Sequence, residues 1–407
     1  MTTGVFEGIR ILDWTQYQQG TVAGMMLADL GAEVIHLEDR AVGGDAGRGM
    51  AAVFSVMVGD VKGRNAYFEY NNRGKKSFAV DMRTEKGRQL IYKLVEKSDV
   101  FLHNHRLGYP ERMGLDYETL KKINPKLIYC NSSGWGPKGP EALEGSFDYL
   151  GQAKSGFMFA GVEEGYPPMQ NMGGGPADQV GAIMSAYGIV VALFARERLG
   201  IGQEIHASLL GAMLMLQGLA LGMTCLWGKG LPRIPRTTAG NPLWNHYQCK
   251  DKNWITLAHL QPDRFWPNIC KALGIQHLQD DPRFSNIMTR GKNAAELIKI
   301  FDEIFATRTR EEWIKTIREN GGMCGPVNKL DDLLDDPQVL ANEYIIDFEH
   351  PVWGKVKWPG MPISFSETPG DPRKWAPEFG EHTEMILVDL LGYSWDEITR
   401  LKEEQII

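Results

Sequence analysis

The sequence predicts an α/β chain, with a large domain on a mostly parallel sheet covered by helices on both faces and a smaller α+β domain. Three observations carry this. Apolar strand-like runs alternate with helix-spaced segments over the first 133 residues; a breaker-rich stretch, LPRIPRTTAGNP at 231–242, interrupts the chain; and strand-like and helical patterns follow it.

The elements read as follows. IRILDW (9–14) is a short apolar strand, GTVAGMMLADLG (20–31) has helical spacing with Gly31 as a stop, and AEVIHLE (32–38) is a second strand, which together make a βαβ unit. Thr84 caps a helix over EKGRQLIYKLVEKSD, VFLHN (100–104) is strand-like, YETLKKIN is helical, and KLIYCNSS (126–133) is a strand again. A long helix is expected over 178–200. After the breakers come strand-like WITLAHL (254–260), helical stretches around 263–273 and 294–318, and a return to strands and a final helix. The expected division is a large domain over 1–200 and 330–407, a helical connector over 201–229, and a small domain over 230–329.

With 407 residues and a formal net charge of −7, the chain has an ordinary globular composition and no long basic block. That argues against nucleic acid or an anionic membrane as partner and favours small-molecule chemistry. MTTGVFEGIR lacks the pattern of a signal peptide, so a cytoplasmic location is expected. Five cysteines without CxxC spacing fit a reduced compartment and call for no metal. Residues 205–228 hold no Asp, Glu, Lys or Arg and are long enough to cross a bilayer. His206, Gln217 and the absence of a basic flank point instead to a buried helix at a large interface.

Ligands of open α/β sheets bind beyond the carboxyl ends of the strands. Here those ends carry TQYQQG (15–20), EDRAVGGD (38–45), HNHRLG (103–108) and SSGWGPKGP (132–140). The first has a single glycine where a dinucleotide fold needs GxGxxG, and no Walker lysine follows. Arg40, Arg73, Lys75, Lys76, Arg106 and Arg112 gather near these loops. Singly each reads as solvated surface; together they suit a phosphorylated ligand.

GGGPADQVGAIMSAYGIVVAL (173–193) sets one carboxylate, Asp178, behind three glycines and a proline at the head of an apolar helix. Local physics offers a helix cap favoured by the dipole.

Nine stretches in order resemble the class III CoA-transferases, the family of formyl-CoA, carnitine and bile-acid CoA-transferases. They are GIRILDWTQYQQG, LGAEVIHLEDRAVGGD, NNRGKKSFAVDM, the long run from SDVFLHNHRLG to SSGWGPKGP, FDYLGQAKSG, DQVGAIMSAYGIVVAL, GQEIHASLL, CGPVNKLDDLLDDPQV and GEHTEMILVDLLG. The resemblance implies a Rossmann-like large domain, a chain forming a ring interlocked with a second subunit, and Asp178 as the nucleophile; for that role Gly173, Gly174 and Gly175 would leave room for a bulky acyl group and nearby backbone N–H groups would stabilise an oxyanion. Asp178 would pass through an acyl anhydride and an aspartyl-CoA thioester while CoA moves from an acyl-CoA donor to a carboxylic acid acceptor. Coenzyme A is then a substrate, with no resident cofactor. By the match, Tyr17, Gln18, Arg40, Lys75, Asn104, His105, Arg112 and Trp135 would hold CoA.

The chain departs from the formyl-CoA branch in three places: His105 stands where an aromatic stacker is common, Ser133 replaces a lysine, and the glycine-rich lid shrinks to TTAGNPLW. Trp14, Met25, Met26, Phe157, Met169 and Met172 would line an apolar acyl pocket for an aromatic or alkyl-substituted acid, or else fill core. Gln16, Gln19 or Arg40 would bind a second carboxylate, as a succinyl donor needs. Two rival readings stand beside the transferase. One is an α-methylacyl-CoA racemase, whose Gly-His-Asp stretch here reads Ser146, Phe147, Asp148, leaving His103 or His105 as substitute bases. The other is a CoA-binding, non-catalytic subunit of a heteromer; the expected assembly is otherwise an interlocked homodimer.

Overall fold

The computed structural model describes residues 4–407 apart from 51, 54–55, 58–59, 62–63 and 171–172. Six strands form one sheet: β1 (Arg10–Trp14), β2 (Glu33–Asp39), β3 (Lys76–Val80), β4 (Val100–His103), β5 (Ile128–Ser133) and β6 (Gln203–Ser208). Their order is β6-β5-β4-β1-β2-β3, and all five pairings are parallel. The connecting helices are α1 (Gln19–Asp29), α2 (Ala66–Asn72), α3 (Glu85–Glu96), α4 (Tyr109–Met113), α5 (Tyr117–Ile123), α6 (Asp148–Lys154), α7 (Phe157–Ala160) and α8 (Pro176–Leu199), with α9 (Leu209–Leu216) and α10 (Gly218–Trp227) after β6.

Two-residue alternation sorts the strands' side chains into two cores. Leu12, Ile35, Phe78, Phe101 and Tyr129 point to one face, where Leu90 and Leu94 of α3, Leu120 of α5 and the C-terminal Ile386 and Ile398 cover them. Ile11, Val34, Val100 and Ile128 point to the other, against Val22 and Leu27 of α1 and Ala182, Ala186 and Ile189 of α8. Alanines on α8 let this helix lie close to the sheet. By length and composition α8 could cross a membrane; Ala182, Ala186 and Ile189 are apolar because they pack on the sheet, while Ile183, Tyr187, Val191 and Phe194 of the same helix are exposed.

Three expectations change. The charge-free segment 205–228 is not one helix: it begins inside β6, and α9 and α10 meet at a bend of 82°. Residues 294–318 hold two helices, Ala294–Phe305 and Arg310–Glu319, because Thr309 and Glu312 form a capping box that starts the second. The sheet's two edges, β3 and β6, were not picked out from the pattern.

The chain divides into two compact units, Met1–Ala160 with Pro168–Gly230 and Asn342–Ile407, and Gly161–Pro167 with Leu231–Ala341. Residues 201–229 thus belong to the first unit. In the second, Trp244–Gln248, Trp254–Ala258 and Cys324–Val327 form an antiparallel sheet. Its core joins Tyr247, Leu257, Trp266, Phe301, Phe305 and Trp313.

Candidate active site

Strand order reverses between β1 and β4, the switch point at which open α/β sheets bind ligands. Two clefts meet there. One, about 430 Å³, lies over β1 and β2 and is lined by Trp14, Thr15, Gln16, Glu38, Asp39, Asp45, Met82, His105, Arg106, Tyr109 and Arg112 among others. The second, about 200 Å³, is lined by Gln16–Gln19, Asn104, His105, Arg106, Ser132, Ser133, Ser146, Phe147 and Asp178. Gln16, His105 and Arg106 line both, so the two adjoin.

Asp178 sits in the first turn of α8, behind Gly175 and Pro176. It does not cap the helix. That role belongs to Asp148 of α6, whose Oδ1 accepts from the backbone N–H groups of Ala177 (2.7 Å) and Asp178 (3.1 Å). Gln152 Nε2 donates to the other oxygen of Asp148. The half-buried Asp178 carboxylate therefore accepts no hydrogen bond from the described residues and borders the smaller cleft. Burial, with the Asp148 charge beside it, pushes its pKa up to about 8. The sequence reading expected the helix dipole to favour ionisation; desolvation and a like charge outweigh it.

The loop after β1 is pinned residue by residue. Thr15 donates to Asp13. Asn104 clamps the Gln16 backbone from both sides, accepting from its N–H (2.9 Å) and donating to its C=O (2.7 Å). Tyr17 has φ +64°, a left-handed conformation uncommon for a bulky residue. Its N–H donates to Asp45 (3.1 Å), its carbonyl accepts from Thr21 Oγ1 (2.6 Å), and its ring meets Phe147 edge-on at 5.6 Å. Gln18 then reaches α8: its Nε2 donates to the Gly174 carbonyl (2.9 Å). Gly175, at φ +66°, lies so close that a Cβ there would stand 2.9 Å from the Gln18 amide.

His105 packs on Trp14 with centroids 4.0 Å apart and near Tyr109 at 5.1 Å. Burial pulls its pKa down to about 4 and that of His103 well below the usual range, which makes both weak bases, poorly matched to abstracting an α-proton. Arg112 lines the larger cleft beside Tyr109.

Other expected contacts fall elsewhere. Lys75 is fully buried, pairing with Asp13 (2.6 Å) and Asn72 (2.8 Å), because its side chain turns under the sheet. Arg73 is spent on Asp29 and Lys76 on Glu33. Arg40 donates to the Gln405 carbonyl and does not line either cleft. Trp135, beneath Lys154, also borders neither. Met25 is core; Trp14 is buried among core residues and also lines the larger cleft, and Met172 lies outside the described residues. Arg106, one of the basic residues expected to serve a phosphorylated ligand, lines both clefts. The pattern gives no signal for Asp148 as the cap or for Tyr67 near Asp178; burial raises the Tyr67 hydroxyl's pKa, and the Asp178 charge adds to it.

Residues 6–383 match the model of CoA-transferase family III. The chain belongs to this family. It is 32% identical to the succinyl-CoA:glutarate CoA-transferase of Mus musculus, over 97% of this chain and 88% of that one. It is 28% identical to the (R)-2-hydroxy-4-methylpentanoate CoA-transferase of Clostridioides difficile, over 99% of each. Among solved structures, a CAIB/BAIF family protein from Brucella suis superimposes with a TM-score of 0.82 at 31% identity, covering 95% of this chain and 100% of that one. The family III chain is thus an acyl-CoA:carboxylate CoA-transferase, which uses CoA as a substrate and not as a resident cofactor.

Proposed function

We propose that this transferase works by covalent catalysis at Asp178. The observation that carries the reading is a carboxylate bordering the cleft with no hydrogen bond to the described residues, its capping work done by Asp148. Ionised Asp178 attacks the donor's thioester carbonyl; the C–S bond breaks, leaving a mixed anhydride and CoA thiolate. The thiolate attacks the aspartyl carbonyl and expels the donor acid, leaving an aspartyl-CoA thioester. The acceptor carboxylate then attacks that carbonyl and displaces thiolate, which takes the acceptor's acyl group and frees Asp178. No ATP is consumed, since a thioester is exchanged for a thioester.

The larger cleft suits the nucleotide end of CoA, with Arg106 and Arg112 for phosphates and aromatic rings for adenine. Gln16, Gln19, Ser132, Ser133 and Ser146 share the smaller cleft with Leu107, Phe147 and Leu209, and none of the methionines expected in an acyl pocket lines it, which suits a short acid that carries both a polar group and an apolar face. Exposed Tyr187 and Phe194 on α8 and Leu219 and Leu226 on α10, the last two 83% and 84% exposed, support a second copy of the chain as cover. Intact-protein mass spectrometry after adding acyl-CoA donors tests the chemistry. The wild type is expected to carry a CoA-sized or acyl-sized adduct that Asp178→Ala lacks; an equal adduct on the variant overturns the assignment.

A further inference from the structure

A buried network of charge lies directly beneath the loop that faces Asp178. His36, on β2, is wholly buried, with Nδ1 3.4 Å from Asp13 Oδ2 and Nε2 3.5 Å from Asp45 Oδ2. Lys75 meets the same Asp13 oxygen at 2.6 Å. Asp45 uses its other oxygen to accept from Tyr17 N (3.1 Å) and Gly47 N (2.8 Å), and its own N–H donates to Glu38 (3.0 Å). Glu38 is in turn held by Arg48 and Ser77.

We infer that His36 and Asp45 are positioning residues, holding Tyr17 in its left-handed conformation so that Gln18 is delivered to Gly174 at the head of α8, beside the nucleophile. This rests on the reading of Asp178 as the nucleophile. A bulky residue at positive φ persists only when its surroundings over-determine it, and here the Asp45 carboxylate is what meets the Tyr17 N–H. Burial alone would leave the imidazole neutral, but Asp13, aided by Asp45 and Glu38, outweighs it and pushes His36 up to about 9. A cation therefore stands between the two carboxylates at neutral pH and fixes the one that holds Tyr17. Released, Tyr17 would relax to negative φ and swing Gln18 away. Strain of ordinary size at one such residue corresponds to about 5- to 150-fold in conformer population.

The test is a double-mutant comparison read as CoA thiol release in the acylation burst, together with crystal structures of His36→Gln and Asp45→Ala. In the Tyr17 background each substitution is expected to slow the burst tenfold or more. In the Tyr17→Gly background, where positive φ costs nothing, the same substitutions should cost less than threefold. Equal losses in both backgrounds would overturn the inference, as would a left-handed Tyr17 in both variant crystals. The crystal readout needs no turnover, so a wild type that never acylates Asp178 sinks the nucleophile reading while Tyr17's φ still decides this one. Asp45→Ala takes away the oxygen that meets the Tyr17 N–H without adding bulk, which keeps the test available if His36→Gln folds poorly.

Discussion

Replacing Asp148 by Asn should move the acid limb of the acylation rate to lower pH. The substitution removes one charge and keeps the cap, because Oδ1, which accepts from Ala177 and Asp178, is retained. Gln152 need only turn its amide to offer its carbonyl to the new Nδ2. Like charges on neighbouring side chains repel by about 2–4 kcal/mol at an effective dielectric near 20, or roughly two pKa units, and an open cleft screens about half of that. Burial is the larger cause of the raised value and persists in the variant, so the expected fall is about one unit from about 8. At pH 7 the ionised fraction then rises from roughly a tenth to roughly a half, giving about fivefold faster acylation, with no gain above about pH 9. Stopped-flow CoA release between pH 5.5 and 9.5 reads this directly. A variant profile that overlays the wild type, or a wild-type limb below pH 5, refutes the electrostatic account of Asp178.

Three further outcomes follow from the same geometry. Asp178→Asn should raise thermal stability increasingly from pH 5 to 8: a carboxyl whose folded pKa stands above its unfolded one binds its proton more tightly when folded, so its cost grows as pH climbs through that window. Calorimetry showing a pH-independent difference in Tm would contradict this. Lys75→Met should destabilise the fold by about 1–3 kcal/mol, since it leaves His36 as the one cation beside a buried Asp13, while leaving CoA affinity within twofold by titration calorimetry; a tenfold loss of affinity with an unchanged Tm would make Lys75 a ligand contact instead. Gly175→Ala, at φ +66° against the Gln18 amide, should cost about 1–2 kcal/mol of stability and slow acylation severalfold, measured by denaturant melts and burst kinetics.

What could be seen in advance follows burial. β1, β2, β4 and β5 are packed on both faces and read as apolar runs. β6 escaped notice because, as an edge strand, it alternates exposed and half-buried residues in QEIHAS; β3 opens on lysine at the opposite edge. Gln16, Gln18, His105, Arg112 and Asp178 stand at or near the switch-point clefts because strand ends and a helix start are local features. The direction of a polar side chain is not local. Lys75 turns inward to Asp13, and Asn104 grips the Gln16 backbone. Asp148 caps a helix that begins about thirty positions downstream, a relation that no sequence window of helical length contains.

The return of residues 342–407 to the first unit bears on how the chain can be made. β3, one edge of the sheet, has its outward N–H groups met by the C-terminal segment: Ala79 donates to Thr383 Oγ1 (2.9 Å) and Ser77 to His382 Nδ1 (3.3 Å), while Asp81 donates to the Ile406 carbonyl (2.8 Å). On the ribosome that edge stays bare until more than 300 further residues have been synthesised, including all of the second unit. Nascent chains stalled before residue 380 should therefore be the species most prone to aggregate or to engage a chaperone.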